Sequence, residues 1–306
     1  MMQSIFNKEK PGSQPGARPP TAVELVPEGV LAATSAGPGQ PPVYAFEALP
    51  AGALVPGIGE PNLRAPEAVT NAIRAALGQV SPRSRAVTVV LPDTSVRVFV
   101  LDFDSLPSKA DEANSVMRFR LRKMVPFEVE HAGLSYQVLT ENKIECKVLA
   151  AVIPGPILQE YEAAVRAAGY EPGAVLPSSL AALAGLDSME AVLAANLSGL
   201  ALTTAITNGQ DLLLYRTLDL PEDPALRLDE VRRGIAVAAA FYEDKLSTRP
   251  RMLYYAGDGG AGEFARWIDD LELAVVELAP RPEIGAATTL GGLSIAGVTG
   301  ALAGVS

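Results

Sequence analysis

The chain has little of the side-chain chemistry on which most enzymes rely. Its 306 residues include one cysteine, Cys146, one histidine, His131, and one tryptophan, Trp267. A lone cysteine excludes a disulfide framework, and one Cys with one His cannot build a Cys/His zinc site. The same shortage leaves little material for a Ser-His-Asp or Cys-His centre. Basic charge is scarce too: 25 Lys and Arg stand against 35 Asp and Glu, a formal net charge of −10, with no long Lys/Arg block. Nucleic-acid binding needs a basic footprint to neutralise phosphates, so nucleic acid is excluded as a partner. Apolar material, in contrast, is plentiful. Hydrophobic residues make up 48% and charged residues 20%, enough for one or two packed cores and too apolar for global disorder. The length corresponds to roughly two domains of ~150 residues. The composition reads as that of an intracellular globular protein poor in catalytic side chains.

No segment reads as a targeting signal or a membrane span. Met1–Phe6 is too short for a signal-peptide core, and Pro11–Pro20 is too rich in Pro and Gly to be helical. Residues 1–20 are therefore expected to form a flexible arm. Residues 284–306 carry no charge but are built largely from Gly, Ala, Ser and Thr. Small residues transfer too little free energy to hold a lone helix in hydrocarbon, so a helix packed closely on a sheet is the expectation there.

Between these ends one order of elements runs twice. Short runs at Ala22–Val26, Val30–Ser35 and Val43–Leu49, each punctuated by Gly or Pro, read as an antiparallel meander. Val69, Ile73 and Leu77 recur every four residues and predict a helix over Ala65–Leu77. The continuous apolar run Ala86–Leu91 predicts a strand buried on both faces. Ser95–Leu101, Lys109–Met124, Gly133–Leu139, Cys146–Ile153, Ile157–Ala168 and Ala174–Leu176 then read as strand, helix, two strands, helix and short strand. Near Glu190 the meander returns, at Ala191–Leu197, Ala201–Thr207 and Leu212–Leu218. A long helix Leu228–Leu246, a strand Met252–Ala256, a helix Glu263–Leu271 and a strand Ala274–Leu278 follow. No residue-level repeat accompanies the pattern, so it is a recurrence of elements only.

Candidates for chemistry are few. Gly257-Asp258-Gly259-Gly260-Ala261-Gly262 fits G-x-G-x-x-G between a strand and a helix, with Glu277 near the end of the next strand. Asp258, however, places negative charge where pyrophosphate would lie, and too few residues follow Glu277 to finish a nucleotide-binding half. A tight strand-to-helix turn is the favoured reading. Cys146 reads as a small core hydrophobe, His131 beside Glu128 and Glu130 as solvated surface, and Asp102 and Asp104 as turn formers. No residue stands out as catalytic. The segment Met117–Phe127 is more informative. Ala113, Met117, Leu121 and Met124 line one helix face, and Phe119 points away from it, among Arg118, Arg122 and Lys123. An aromatic ring in a basic cluster on an acidic protein is either a contact surface or a solvated face.

Here the residues resemble a family. Leu106-Pro107, the amphipathic helix running into Val125-Pro126-Phe127, the strand Val148–Ile153 and the stretch Tyr161–Pro172 resemble the inserted subdomain of PilM-type type IV pilus assembly proteins. The resemblance implies the actin-like ATPase fold of the cell-division protein FtsA, an α/β, ribonuclease H-like fold of two halves with an inserted αβ subdomain. It divides the chain into the arm 1–20, a first half 21–94, an inserted subdomain 95–176 and a connecting helix 177–189. A second half 190–283 follows, then a small-residue helix 284–306 packing back on the first half. Related, similarly reduced folds are the cytoplasmic domains of the type II secretion protein GspL. The family's phosphate loops are altered here. Glu24-Leu25-Val26-Pro27-Glu28-Gly29 and Asn196-Leu197-Ser198-Gly199 stand where Asp-Ile-Gly turns are expected, and only Gly257-Asp258-Gly259-Gly260 keeps an adenosine-type turn. Vestigial nucleotide contacts would fall on Asn196, Ser198, Gly199, Gly257, Gly259 and Gly260. The short span Leu218–Leu226 implies that the small subdomain of the second half is reduced or absent. A magnesium–phosphate clamp needs carboxylates, and Asn196 cannot supply that charge, so neither ATP with magnesium nor another cofactor or metal is expected.

By this resemblance the chain is a non-catalytic cytoplasmic adaptor of a type IV pilus or related secretion platform. It would bind the short cytoplasmic tail of a PilN-like membrane protein through Arg118, Phe119, Arg122 and Lys123, with Pro126 and Phe127 anchoring the subdomain. It would lie at the inner membrane through that partner, among other platform proteins. The alternatives are an actin-like ATP-binding protein or weak ATPase, and a Rossmann-type oxidoreductase resting on Gly257–Gly262.

Overall fold

A computed structural model describes residues 18–37, 40–142, 145–186, 188–209, 211–279 and 292–303. The expected arm lies outside the described residues as far as position 17, as do 280–291 and 304–306 of the C-terminal region.

The first half opens with β1 (Thr21–Val26), β2 (Gly29–Thr34) and β3 (Val43–Ala48), each antiparallel to the next. Helix α1 (Pro66–Val80) and strand β4 (Ala86–Leu91) follow, with β4 returning parallel to β1. Both β1 and β2 are buried along their whole length, because helices cover the sheet on both faces. The periodic residues Val69, Ile73 and Leu77 are the buried stripe of α1. The helix starts at Pro66, whose fixed φ suits a first turn, and stops where Ser81 takes a left-handed φ of 49°.

The inserted subdomain is an antiparallel sheet of β5 (Arg97–Phe103), β6 (Gly133–Glu141) and β7 (Cys146–Ile153), with β7 in the middle. One face is covered by α2 (Ala110–Leu121) through Met117 and Leu121, both fully buried. Two expectations fail here. Met124 is not on the buried face: α2 ends at Leu121, Val125 takes the core position, and Met124 is 41% exposed. Pro126 disfavours helical geometry at the residue before it, so the chain leaves the helix early. Asp102, expected in a turn, lies within β5, and its side chain is exposed.

The boundary expected at residue 176 also shifts. Strand β8 (Glu171–Pro177) pairs in parallel with β4 and completes the first sheet, in the order β3-β2-β1-β4-β8. Helix α3 (Gly155–Ala167) packs on α1 and β8. These last elements therefore belong to the first half, because the apolar run Ala174–Leu176 needs a buried parallel neighbour that the small sheet does not offer.

Helix α4 (Ser178–Leu183) leads to the second half. Strands β9 (Ala191–Ser198), β10 (Ala201–Asn208) and β11 (Asp211–Asp219) form its meander, followed by α5 (Pro224–Leu246), β12 (Met252–Gly257), α6 (Ala261–Trp267) and β13 (Ala274–Glu277). The sheet order β11-β10-β9-β12-β13 reproduces that of the first half. Only Leu220–Asp223 separates β11 from α5, so no subdomain intervenes. Asp223 ends that link as the N-cap of α5, its Oδ1 accepting from the Ala225 and Leu226 amides. Helix α7 (Ala296–Leu302) packs on α4 and on β1, β2 and β4 of the first sheet. The contact is so close that a Cβ at Gly300 would collide with the Ala181 carbonyl oxygen. Among the described residues no helix is long and apolar enough to cross a membrane.

Candidate functional site

Two places can be built from the residues upward: the seam between the halves, and the outer side of the inserted subdomain. At the seam, Glu24 interrupts the apolar strand β1 and is 4% exposed. Its Oε1 accepts from Ser178 Oγ at 2.5 Å, and its Oε2 accepts from the Val298 amide of α7 at 3.2 Å. Gly297 is required alongside, since a Cβ there would strike both carboxylate oxygens. Burial is the main cause that pushes the Glu24 carboxyl up to about 7, opposed by the hydrogen bond from Ser178 and reinforced by the charge of Asp93.

Asp93 sits in a 3₁₀ turn, Asp93–Ser95, just after β4. It accepts from Ser179 twice, through the amide at 3.1 Å and through the hydroxyl. Thr203 Oγ1 of β10 donates to it at 3.3 Å and Asn196 Nδ2 of β9 at 3.4 Å. Asn196 Nδ2 also donates to Ser179 Oγ at 2.9 Å. One carboxylate of the first half thus gathers donors from α4 and from two strands of the second. Its own carboxyl is raised by burial, against the lowering effect of those bonds.

Of the expected vestigial nucleotide contacts, Asn196, Ser198 and Gly257 border one void with Glu24 and Gly297. That void has a volume of about 20 Å³, room for a water and far below the several hundred Å³ of a ligand site. In front of it opens a cleft of about 540 Å³, walled by Pro27, Glu28, Val55, Ser198, Gly199 and Asp258 among others. Gly259 and Gly260 lie in the turn beyond, with left-handed φ of 73° and 82°. The dinucleotide-loop match at Gly257–Gly262 does not hold: Glu277 Oε1 accepts from the Ala261 amide at 2.9 Å, so a protein carboxylate already occupies the start of α6, inside a sheet that begins as a meander. Among the described residues no group of three His, Cys, Asp or Glu is placed to hold a metal.

On the inserted subdomain the four expected contact residues separate. Phe119 is 66% exposed, and Lys123 is exposed beside it. Arg118 turns inward, donating to the carbonyls of Val129 and Ala132. Arg122 pairs with Glu130, whose carboxyl that contact holds below its ordinary range. His131 is exposed and Cys146 is fully buried, its thiol pushed up by burial. Sequence reasoning missed Glu24, Asp93, Ser178, Ser179 and Thr203 as a group. Their signal is an ionisable or hydroxyl residue in or beside an otherwise apolar run.

No family model and no curated protein matches the chain by sequence. Its structure is similar to a chain of the PilM-PilN type IV pilus biogenesis complex, with a TM-score of 0.71 and 18% identity over 95% of this chain and 100% of that one. The fold is actin-like. Weaker likenesses are to the cytoplasmic domain of EpsL, an inner membrane component of the type II secretion system of Vibrio cholerae (TM-score 0.49, 13% identity, 78% of this chain and 81% of that one). A Bacteroides thetaiotaomicron protein with an actin-like ATPase fold and unknown function also matches (TM-score 0.49, 10% identity, 84% and 90%). On the actin-like frame the sheets built around β1 and β9 are the matching halves, and the Glu24 and Asp93 networks lie on the seam between them.

Proposed function

We propose that this chain is a non-catalytic adaptor of a type IV pilus or related secretion platform. It holds the short cytoplasmic tail of a PilN-like membrane protein and so lies at the inner membrane, beside other platform proteins. The observation that carries this reading is Phe119: a ring 66% exposed, beside Lys123 and Arg122 on a protein of net charge −10. A desolvated ring inside a cationic rim is a common hot-spot arrangement. The fold likeness to a PilM–PilN complex supports it. So does the seam, where Asn196, which has no charge to position magnesium, is already engaged by Asp93 and Ser179.

The test is capture of the PilN-like protein's cytoplasmic tail peptide beside a thermal melt of each variant. Phe119→Ala is expected to weaken capture about tenfold or more while leaving the melting temperature in place. Arg122→Glu weakens it further, most at low salt. Met117→Ala is the control and costs about 2–5 kcal/mol through a core cavity. If Phe119→Ala destabilises as much as Met117→Ala and leaves capture intact, the proposed face is wrong.

ATP binding, with or without slow hydrolysis, is the second reading. It draws on the cleft of about 540 Å³ beside Ser198 and Gly199.

A further inference from the structure

Helix α5 is covered on one side only. Val231, Gly234, Ile235, Ala238 and Tyr242 are buried, and the helix packs on β10 and β9 of the second sheet. The opposite side of such a helix is ordinarily polar. Over its middle it is not. From Gly234 to Tyr242 the helix carries no charge. Val237 is 47% exposed, Ala240 is exposed, and Ala236 and Phe241 flank them half-buried.

The outward positions also keep a register. Glu230, Arg233, Val237, Ala240 and Asp244 follow one another at alternating intervals of three and four, the spacing of a coiled-coil stripe. Charge falls symmetrically about its middle: Arg233 stands four residues before Val237, and Asp244 four after Ala240. A parallel pairing of two such stripes would set Arg233 against Arg233 and Asp244 against Asp244. An antiparallel pairing sets Val237 of each copy level with Ala240 of the other, and Arg233 level with Asp244 at both ends. Arg233 meets Glu230 of its own helix at 3.0 Å, an exposed pair that is worth little and leaves further guanidinium donors open. Asp244 is exposed and, among the described residues, pairs with no cation.

We propose that the outer face of α5 is a self-association surface, on which α5 of a second copy of this chain lies antiparallel. The charge pattern selects the occupant, because a face that complements its own reversed copy makes an isologous contact. About four turns of one helix bury less than the ~800 Å² per partner of a standard interface, so the dimer is weak and salt-sensitive. It uses no residue of the Phe119 face and does not rest on the adaptor reading.

The test joins cross-linking of the intact chain to sedimentation over a concentration series. The one cysteine, Cys146, is fully buried, so an introduced surface thiol reacts alone. An equal mixture of Arg233→Cys and Asp244→Cys is expected to give a disulfide-linked heterodimer on mild oxidation, since the two positions are level. Either variant by itself should give little, because its two copies would stand about 16 Å apart along the helices. In sedimentation the unmodified chain is expected to pass from monomer to dimer between micromolar and millimolar concentration. Arg233→Asp or Asp244→Arg should weaken the dimer roughly tenfold or more at an unchanged melting temperature, and the double variant should restore it. A chain that stays monomeric throughout the series overturns the proposal. So does a dimer that survives both single charge reversals, or one that cross-links as well through Arg233→Cys alone.

Discussion

The seam between the halves and the inserted subdomain spend their polar groups in opposite ways. At the seam, Glu24 and Asp93 are buried and turned on the protein itself, accepting from Ser178, Ser179, Asn196, Thr203 and an amide of α7. On the inserted subdomain the β6 edge has no strand beside it among the described residues, and the ring of Phe119 and the side chain of Lys123 are exposed. In the seam the geometry is closed by its own donors. On the subdomain the ring of Phe119 lies outside the core. The adaptor proposal above reads this contrast as an actin-like frame whose inner surface joins its halves and whose outer surface meets a partner.

The sharpest way to break this contrast is Asp93→Ala. It would leave the Ser179 amide and hydroxyl without their acceptor, while Asn196 keeps Ser179 Oγ and Thr203 keeps Thr217 Oγ1, at a cost of about 2–4 kcal/mol. Chemical denaturation is the check; a loss under about 1 kcal/mol would mean that the network does not join the halves. Glu24 comes next. With a folded value of about 7 against an ordinary 4.5, the folded state keeps a proton that the unfolded chain releases. That stability is fully present below pH 4.5 and is lost as pH rises through about 7, roughly 3 kcal/mol in all. Glu24→Gln should flatten this fall, which melts at pH 5 and pH 8 would reveal. Gly300→Ala, forced against the Ala181 carbonyl, should cost about 1–3 kcal/mol and loosen α7 from α4. Phe119→Ala, at the small end, should cost under about 0.5 kcal/mol in stability and act on capture alone.

Much of the frame was legible because its signals are local. The four-residue spacing of Val69, Ile73 and Leu77 marked α1, the meander punctuation marked both sheets, and the phase of Phe119 against Met117 placed that ring outside. Long-range partnership was not legible. Ser178 lies 154 positions from Glu24, and Val298 lies 274, so nothing near Glu24 announces what satisfies it. The allegiance of β8 was hidden for the same reason, because a short apolar run does not reveal which parallel neighbour it joins. Arg118 misled differently: its charge reads as surface, whereas its stem lies along the subdomain and its guanidinium binds carbonyls.

The most direct test is calorimetric titration of the intact protein with ATP and magnesium. A seam whose Asn196 amide and carboxylates are engaged with one another, opening on a cleft of about 540 Å³ bordered by the carboxylates of Glu28 and Asp258, predicts no saturable heat. Low-micromolar, magnesium-dependent binding at one nucleotide per chain would contradict it and restore the nucleotide to the centre of this protein's function.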